Sequence, residues 1–294
     1  MKKVIFIGGT SYSGTTLLDM ILANDPKGYS LGEFSAVIKP WRKHHYSEKN
    51  KLIKNNHKWH SLLEDSDNIY SKLFDTYPEI DFFVDSSKNP IWIAKNTRLL
   101  EKQNINYQIV LIYKNPEELA NSFYKRNLLS KWKVNYRSYH KKFFSLINNY
   151  YKISYEDLIN NEEEFKKLCN YLDIDYFKEK KEFWSKEHKT FFGNNRTRSH
   201  VDGLIQTGQE KAEEYNSTQK KKLIYEENIP EDVKWQVIED KKKYADIKMI
   251  EDFLENHQNL NRDLILNPFI IKTKNTIKKT LLSYKSRLAY EFNL

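Results

Sequence analysis

Three short stretches of this sequence carry residues suited to hold phosphate-like groups. The first is Gly9-Thr-Ser-Tyr-Ser-Gly14, followed by Thr15 and Thr16. Its glycine spacing is that of a Walker loop, G-x-x-x-x-G-K-[ST], whose backbone N–H groups cradle phosphates. Thr15 stands where the lysine would be. That lysine neutralises β- and γ-phosphates, and the hydroxyl after it holds Mg²⁺. Without it ATP or GTP hydrolysis is disfavoured, yet loop amides and a helix N-terminus still attract an anion. Ser13, Thr15 and Thr16 add hydroxyl donors. The loop suits a less highly charged phosphate and requires no metal. The second stretch, "VDSSKNP", offers Lys88 as a replacement for the absent loop lysine. The third, "YKNPEELANSFYKR", has Lys114, then Ser122 and Arg126. Helical spacing puts Ser122 and Arg126 on one face. One cation, one hydroxyl and one guanidinium would clamp a second phosphate.

Such side chains need rigid elements behind them. Residues 3–7 read as a buried strand, 8–14 as a loop, and about 15–24 as a helix stopped by Asp25-Pro26. "GYSLGEF" leads toward a further element, and 38–77 is polar and helical. "IDFFVDSSKNP" is a strand ending in a polar loop, and "NPIWIAKNTRLLEKQ" a helix. "NYQIVLIYKNP" is the third strand, followed by a helix with Pro116 in its favoured first turn. "YYKISYEDL" is the fourth strand and "NEEEFKKLCNYLDI" the fourth helix. Near-continuous apolar strands alternating with helices predict an α/β fold: a P-loop-like parallel sheet with helices on both faces and helical additions. Ligands of such sheets bind beyond the carboxyl ends of the strands. All the polar loops fall there.

The 294 residues include 39% hydrophobic and 14% aromatic side chains, enough for a core, so a disordered chain is excluded. The formal charge of +9 favours an anionic partner without choosing one. A single cysteine, Cys169, rules out an internal disulfide, suggests a reducing compartment, and reads as a core residue. The apolar part of "MKKVIFIGG" is too short for a signal peptide, and no segment is long enough to span a membrane. His57 and His60 lie one turn apart, but nearby ligands are few and a metal is not expected. The tail "NPFIIKTKNTIKKTLLSYKSRLAYEFNL" is basic, with Ile277, Leu281, Tyr284 and Leu288 at helical spacing.

In order and spacing these elements resemble the sulfotransferases that use 3′-phosphoadenosine 5′-phosphosulfate (PAPS), the bacterial and protein-tyrosine enzymes above all. The likeness runs over roughly residues 3–200. It implies that the loop Ser11, Tyr12, Ser13, Gly14, Thr15 and Thr16 grips the 5′-phosphosulfate. It implies that Lys114, Ser122 and Arg126 grip the 3′-phosphate, with Tyr155 of "YEDL" near the adenine. Arg196 and Arg198 of "GNNRTR" match a late nucleotide-binding loop. Two positions depart from the pattern. Tyr12 replaces a usual Arg or Lys, and Lys114 replaces an Arg with its bidentate fork. Lys88 matches a family lysine and would supply the charge Tyr12 lacks.

Glu33, just past the first helix, lies where these enzymes place their catalytic base; His188 is a weaker alternative. The expectation is a single domain over 1–266, with a helical acceptor flap at about 34–75 and a basic amphipathic tail at 267–294. The expected partners are PAPS and an acceptor hydroxyl or amine, without nucleic acid. A peripheral membrane or subunit contact would use the tail, and the expected location is the cytoplasm. "KWKVNYRSYHKK" would suit an acidic acceptor, though a solvated helix face is the plainer account. Two rivals are a P-loop small-molecule kinase, opposed by the absent lysine, and a non-enzymatic basic module for nucleic acid or membrane.

Overall fold

The computed structural model describes residues 2–55, 59, 62–63, 65–185, 188, 192 and 228–256. Five strands form one sheet: β1 (Lys3–Gly8), β2 (Gly28–Gly32), β3 (Phe82–Lys88), β4 (Asn106–Tyr113) and β5 (Tyr151–Ser154). They run parallel in the order β2-β3-β1-β4-β5. The alternation of side chains along a strand explains the apolar runs. Val4 and Phe6 enter one core cluster while Ile5 and Ile7 enter the other, and Leu111 and Ile112 divide likewise. With both faces covered, Val4–Ile7 and Ile109–Ile112 are apolar at every position.

One face is covered by α1 (Thr15–Ala23), α8 (Tyr155–Asn160) and α9 (Glu162–Tyr171). The other carries α2 (Phe34–Ile38), α4 (Ile69–Thr76), α5 (Pro90–Lys102), α6 (Pro116–Tyr124) and α7 (Trp132–Leu146). There α10 (Glu231–Lys243) packs on α6, and α11 (Ala245–Glu255) on α7. The polar helix α3 (Lys43–Asn55) follows α2. A buried Lys180–Asp25 pair at 2.7 Å ties the end of α1 to the 178–181 turn. Cys169 is buried in the α1-side cluster, where desolvation pushes its thiol up to about 11, as suits a core residue. The tail 267–294 lies outside the described residues.

Three local expectations need correction. β2 is a fifth strand; "GYSLG" has too few apolar residues to announce one. The polar segment Asp85–Lys88 belongs to β3 itself, because buried hydrogen bonds satisfy its side chains. "YEDL" is helical: the Ser154 hydroxyl accepts from the Asp157 amide at 2.9 Å, capping α8 and ending β5.

Candidate functional site

The carboxyl ends of β3, β1, β4 and β5 lie side by side, so Lys88, the loop after Gly8, Lys114 and Tyr155 leave neighbouring strands. The loop is shaped from within. Ser13 is fully buried, and its hydroxyl donates to the Thr10 carbonyl at 2.9 Å. That hydroxyl, expected to face an anion, therefore closes the turn. Gly14 has φ 102, and a Cβ there would run into the Tyr155 ring, so only glycine fits. The first amides of α1 follow, with Thr15 and Thr16 buried beneath the loop and Ser11 exposed at its tip.

Tyr12 takes a left-handed backbone, φ 70, unusual for a residue with a side chain. Its ring meets Phe123 edge-on at 4.9 Å, and the Arg126 guanidinium lies 4.2 Å over it. Arg126 falls just beyond α6 and reaches back to the Ser122 carbonyl at 2.5 Å. The Ser122 hydroxyl accepts instead from Lys114 Nζ at 3.1 Å. The same ammonium sits 4.3 Å over the Tyr155 ring, which rests against Gly14. Tyr12, Gly14, Lys114, Ser122, Arg126 and Tyr155 thus form one cluster. The helix that holds Ser122 starts with a full capping box between Asn115 and Glu118 and with Pro116.

Glu33 and Lys88 meet on the other side of the loop. Gly8 and Lys88 are register partners, and Lys88 Nζ donates to Glu33 Oε1 at 2.5 Å. Lys88 too has a left-handed backbone, φ 65. Glu33 immediately precedes α2, whose Ser35 amide donates to Ser87 Oγ at 2.8 Å. Ser87 in turn is fixed by Asp85, its amide donating to Oδ1 at 2.8 Å and its hydroxyl also donating to Oδ1. Tyr70 and Trp92 donate to Asp85 Oδ2 at 2.5 and 2.8 Å. Burial raises the Asp85 carboxyl, and those bonds pull it back. Beside it the Asp19 carboxyl, accepting from Ser86 at 2.6 Å, is pushed up to about 7 by burial.

Asp85, Ser87 and Asp19 are parts of the site that motif reading passes over. Asp85 had a signal: a carboxylate inside an apolar strand must be satisfied locally. Tyr139 had none. It lies in "KWKVNYRSYHKK", a two-faced helix: Trp132, Tyr136 and His140 are buried, while Lys131, Val134, Ser138 and Lys142 are exposed. His45 is buried against Trp41, His44 and Phe192, and desolvation lowers its imidazole. His188 Nε2 lies 2.7 Å from the Phe183 carbonyl. Arg196, Arg198, His57 and His60 lie outside the described residues. Among the described residues, no group of three or more His, Cys, Asp or Glu could hold a metal ion. Nor is any helix among them long and apolar enough to cross a membrane.

The parallel sheet, its flanking helices and the glycine loop between β1 and α1 define an α/β protein of the P-loop-like kind. No protein-family model and no curated protein matches this sequence. Solved structures that align with it include the sulfotransferase domain from the Synechococcus PCC 7002 olefin synthase, at 15% identity, over 77% of this chain and 96% of that one, with a TM-score of 0.47. Another is the sulfotransferase domain from the curacin biosynthetic pathway, at 17% identity, 66% and 81% coverage, and a TM-score of 0.44.

Proposed function

We propose that the chain is a sulfotransferase that moves a sulfuryl group from PAPS to an acceptor hydroxyl or amine. The observation that carries this is the meeting of Glu33 and Lys88 at 2.5 Å, beside the loop that follows Gly8. A carboxylate and an ammonium at the edge of an anion-binding loop suit a transfer in which one proton leaves and one anion forms.

In that transfer the acceptor oxygen or nitrogen bonds to sulfur in line with the bridging oxygen of the phosphosulfate. The sulfur–oxygen bond opposite breaks. The acceptor proton passes to Glu33, and the electron pair stays on the leaving adenosine 3′,5′-bisphosphate. Lys88 and the loop amides stabilise the charge on its 5′-phosphate, as fixed donors do in other transfers. At rest Lys88 holds Glu33; moving toward the leaving oxygen, it releases the carboxylate to the acceptor. Lys114, Ser122 and Arg126 hold the 3′-phosphate, and Tyr12 and Tyr155 carry those cations on their ring faces.

Titration calorimetry separates this from the kinase reading. Adenosine 3′,5′-bisphosphate binds without Mg²⁺ and ATP–Mg²⁺ does not. Tight ATP–Mg²⁺ binding with phosphoryl transfer would overturn the proposal. Labelled PAPS offered to sugars, lipids, peptides and small metabolites then finds the acceptor.

A further inference from the structure

Tyr139 has no part in the mechanism above, yet its hydroxyl bridges the loop after β1 and the end of β3. It accepts from the Gly9 amide at 2.6 Å and donates to the Lys88 carbonyl at 2.8 Å. These are the ends of β1 and β3, beyond the point where their register shifts between Phe6 and Gly8. One phenol there both accepts and donates, and so links the two strand ends. The ring has little freedom. It stacks on Phe143 at 6.0 Å and meets His140 edge-on at 5.6 Å. Phe143 in turn packs so closely on Gly8 that a Cβ there would lie 2.5 Å from its ring.

We infer that Tyr139 is a positioning residue: it sets the backbone of Lys88 against the anion-binding loop, so that the ammonium can serve Glu33 and the leaving oxygen in turn. The inference rests on the proposed sulfuryl transfer. It adds a residue from α7, a helix that carries none of the proposed site residues. The left-handed backbone at Lys88 costs energy that its surroundings must offset. Without the hydroxyl, Lys88 relaxes, the buried Gly9 amide and Lys88 carbonyl lose their partner, and the ammonium shifts. The nucleotide cluster on the β4 side, which Tyr139 does not touch, keeps its grip.

The test is Tyr139→Phe, which removes one oxygen and keeps the ring. In the folded variant, the affinity for adenosine 3′,5′-bisphosphate and the KM for PAPS stay within about threefold of wild type. The kcat falls by roughly 10- to 100-fold, the scale on which small misplacements of reacting groups act. Phe143→Leu, which loosens the ring's seat but keeps the hydroxyl, gives a smaller fall of the same kind. A merely structural role would instead lower thermal stability and leave kcat per folded molecule unchanged. The ¹³Cα shift of Lys88 in lysine-labelled protein provides a readout independent of activity, since it follows the left-handed backbone. It moves in Tyr139→Phe. An unchanged shift, or wild-type kcat per folded molecule in both variants, overturns the inference. Wild-type protein that transfers no sulfate to any acceptor overturns the proposed function, while the shift still decides what Tyr139 holds.

Discussion

On the β4 side of the crevice, cations lie over aromatic rings; on the β3 side, an ammonium lies on a carboxylate. Lys114 and Arg126 rest on Tyr155 and Tyr12 at 4.3 and 4.2 Å. Such contacts are worth about 0.5–2 kcal/mol. Lys88 and Glu33 cancel one another until something divides them. The first arrangement suits holding an anion through a whole reaction. The second suits a charge needed only when a proton moves and an anion forms. On the proposed function the crevice separates binding from transfer, and substitutions on its two sides should act on different constants.

Glu33→Gln offers the sharpest break. Turnover falls by about 10²–10⁴, the usual contribution of a positioned base, while calorimetric affinity for adenosine 3′,5′-bisphosphate is unchanged. Turnover near wild type would remove Glu33 from the transfer side. Lys114→Ala is the mirror case. Losing a charge-assisted bond weakens bisphosphate binding by about 10- to 100-fold, corresponding to roughly 1.5–3 kcal/mol. Equal weakening in both variants would erase the distinction between the two sides.

A third expectation concerns the buried carboxylate of α1. Burial pushes Asp19 up to about 7, whereas an unfolded aspartate titrates near 4. Folding therefore favours its protonated form. That contribution is whole below about pH 4, shrinks as pH rises, and is lost above about pH 7. The difference is of order 4 kcal/mol. Denaturant unfolding between pH 4 and 8 should show this decline in wild type and a flatter profile in Asp19→Asn. Matching profiles would mean the carboxylate ionises freely in place. The smallest effect belongs to Ser11→Ala: on an exposed loop tip it changes stability by no more than about 0.5 kcal/mol. A large loss of bisphosphate affinity in that variant would mean that the loop tip, too, grips the anion.

Much of the scaffold was legible because its signals are local. Apolar strands, a glycine loop and Pro116 each declare themselves within a few residues. β2 was not, since its stability comes from pairing with β3 rather than from its own composition. The spacing of Ser122 and Arg126 suggested a shared helical face, but the helix ends at Tyr124 and Arg126 turns back to the Ser122 carbonyl. Ser13 was read as a ligand donor, yet burial gives its hydroxyl to Thr10.

The sequence by itself determined the layered α/β class and the type of loop, because hydrophobic period and glycine spacing are local properties of the chain. It also named Lys88, Lys114 and Glu33 as chemistry without saying which would meet. Tertiary structure decided that. Lys88 is 55 residues from Glu33, and Tyr139 is 130 from Gly9, separations that no local pattern encodes. Strand order brings the ends of β3, β1 and β4 together, and burial then forces each polar group to find a partner within reach. Lys88 found Glu33, Lys114 found Ser122 and the face of Tyr155, and the two ends of β1 and β3 found one tyrosine.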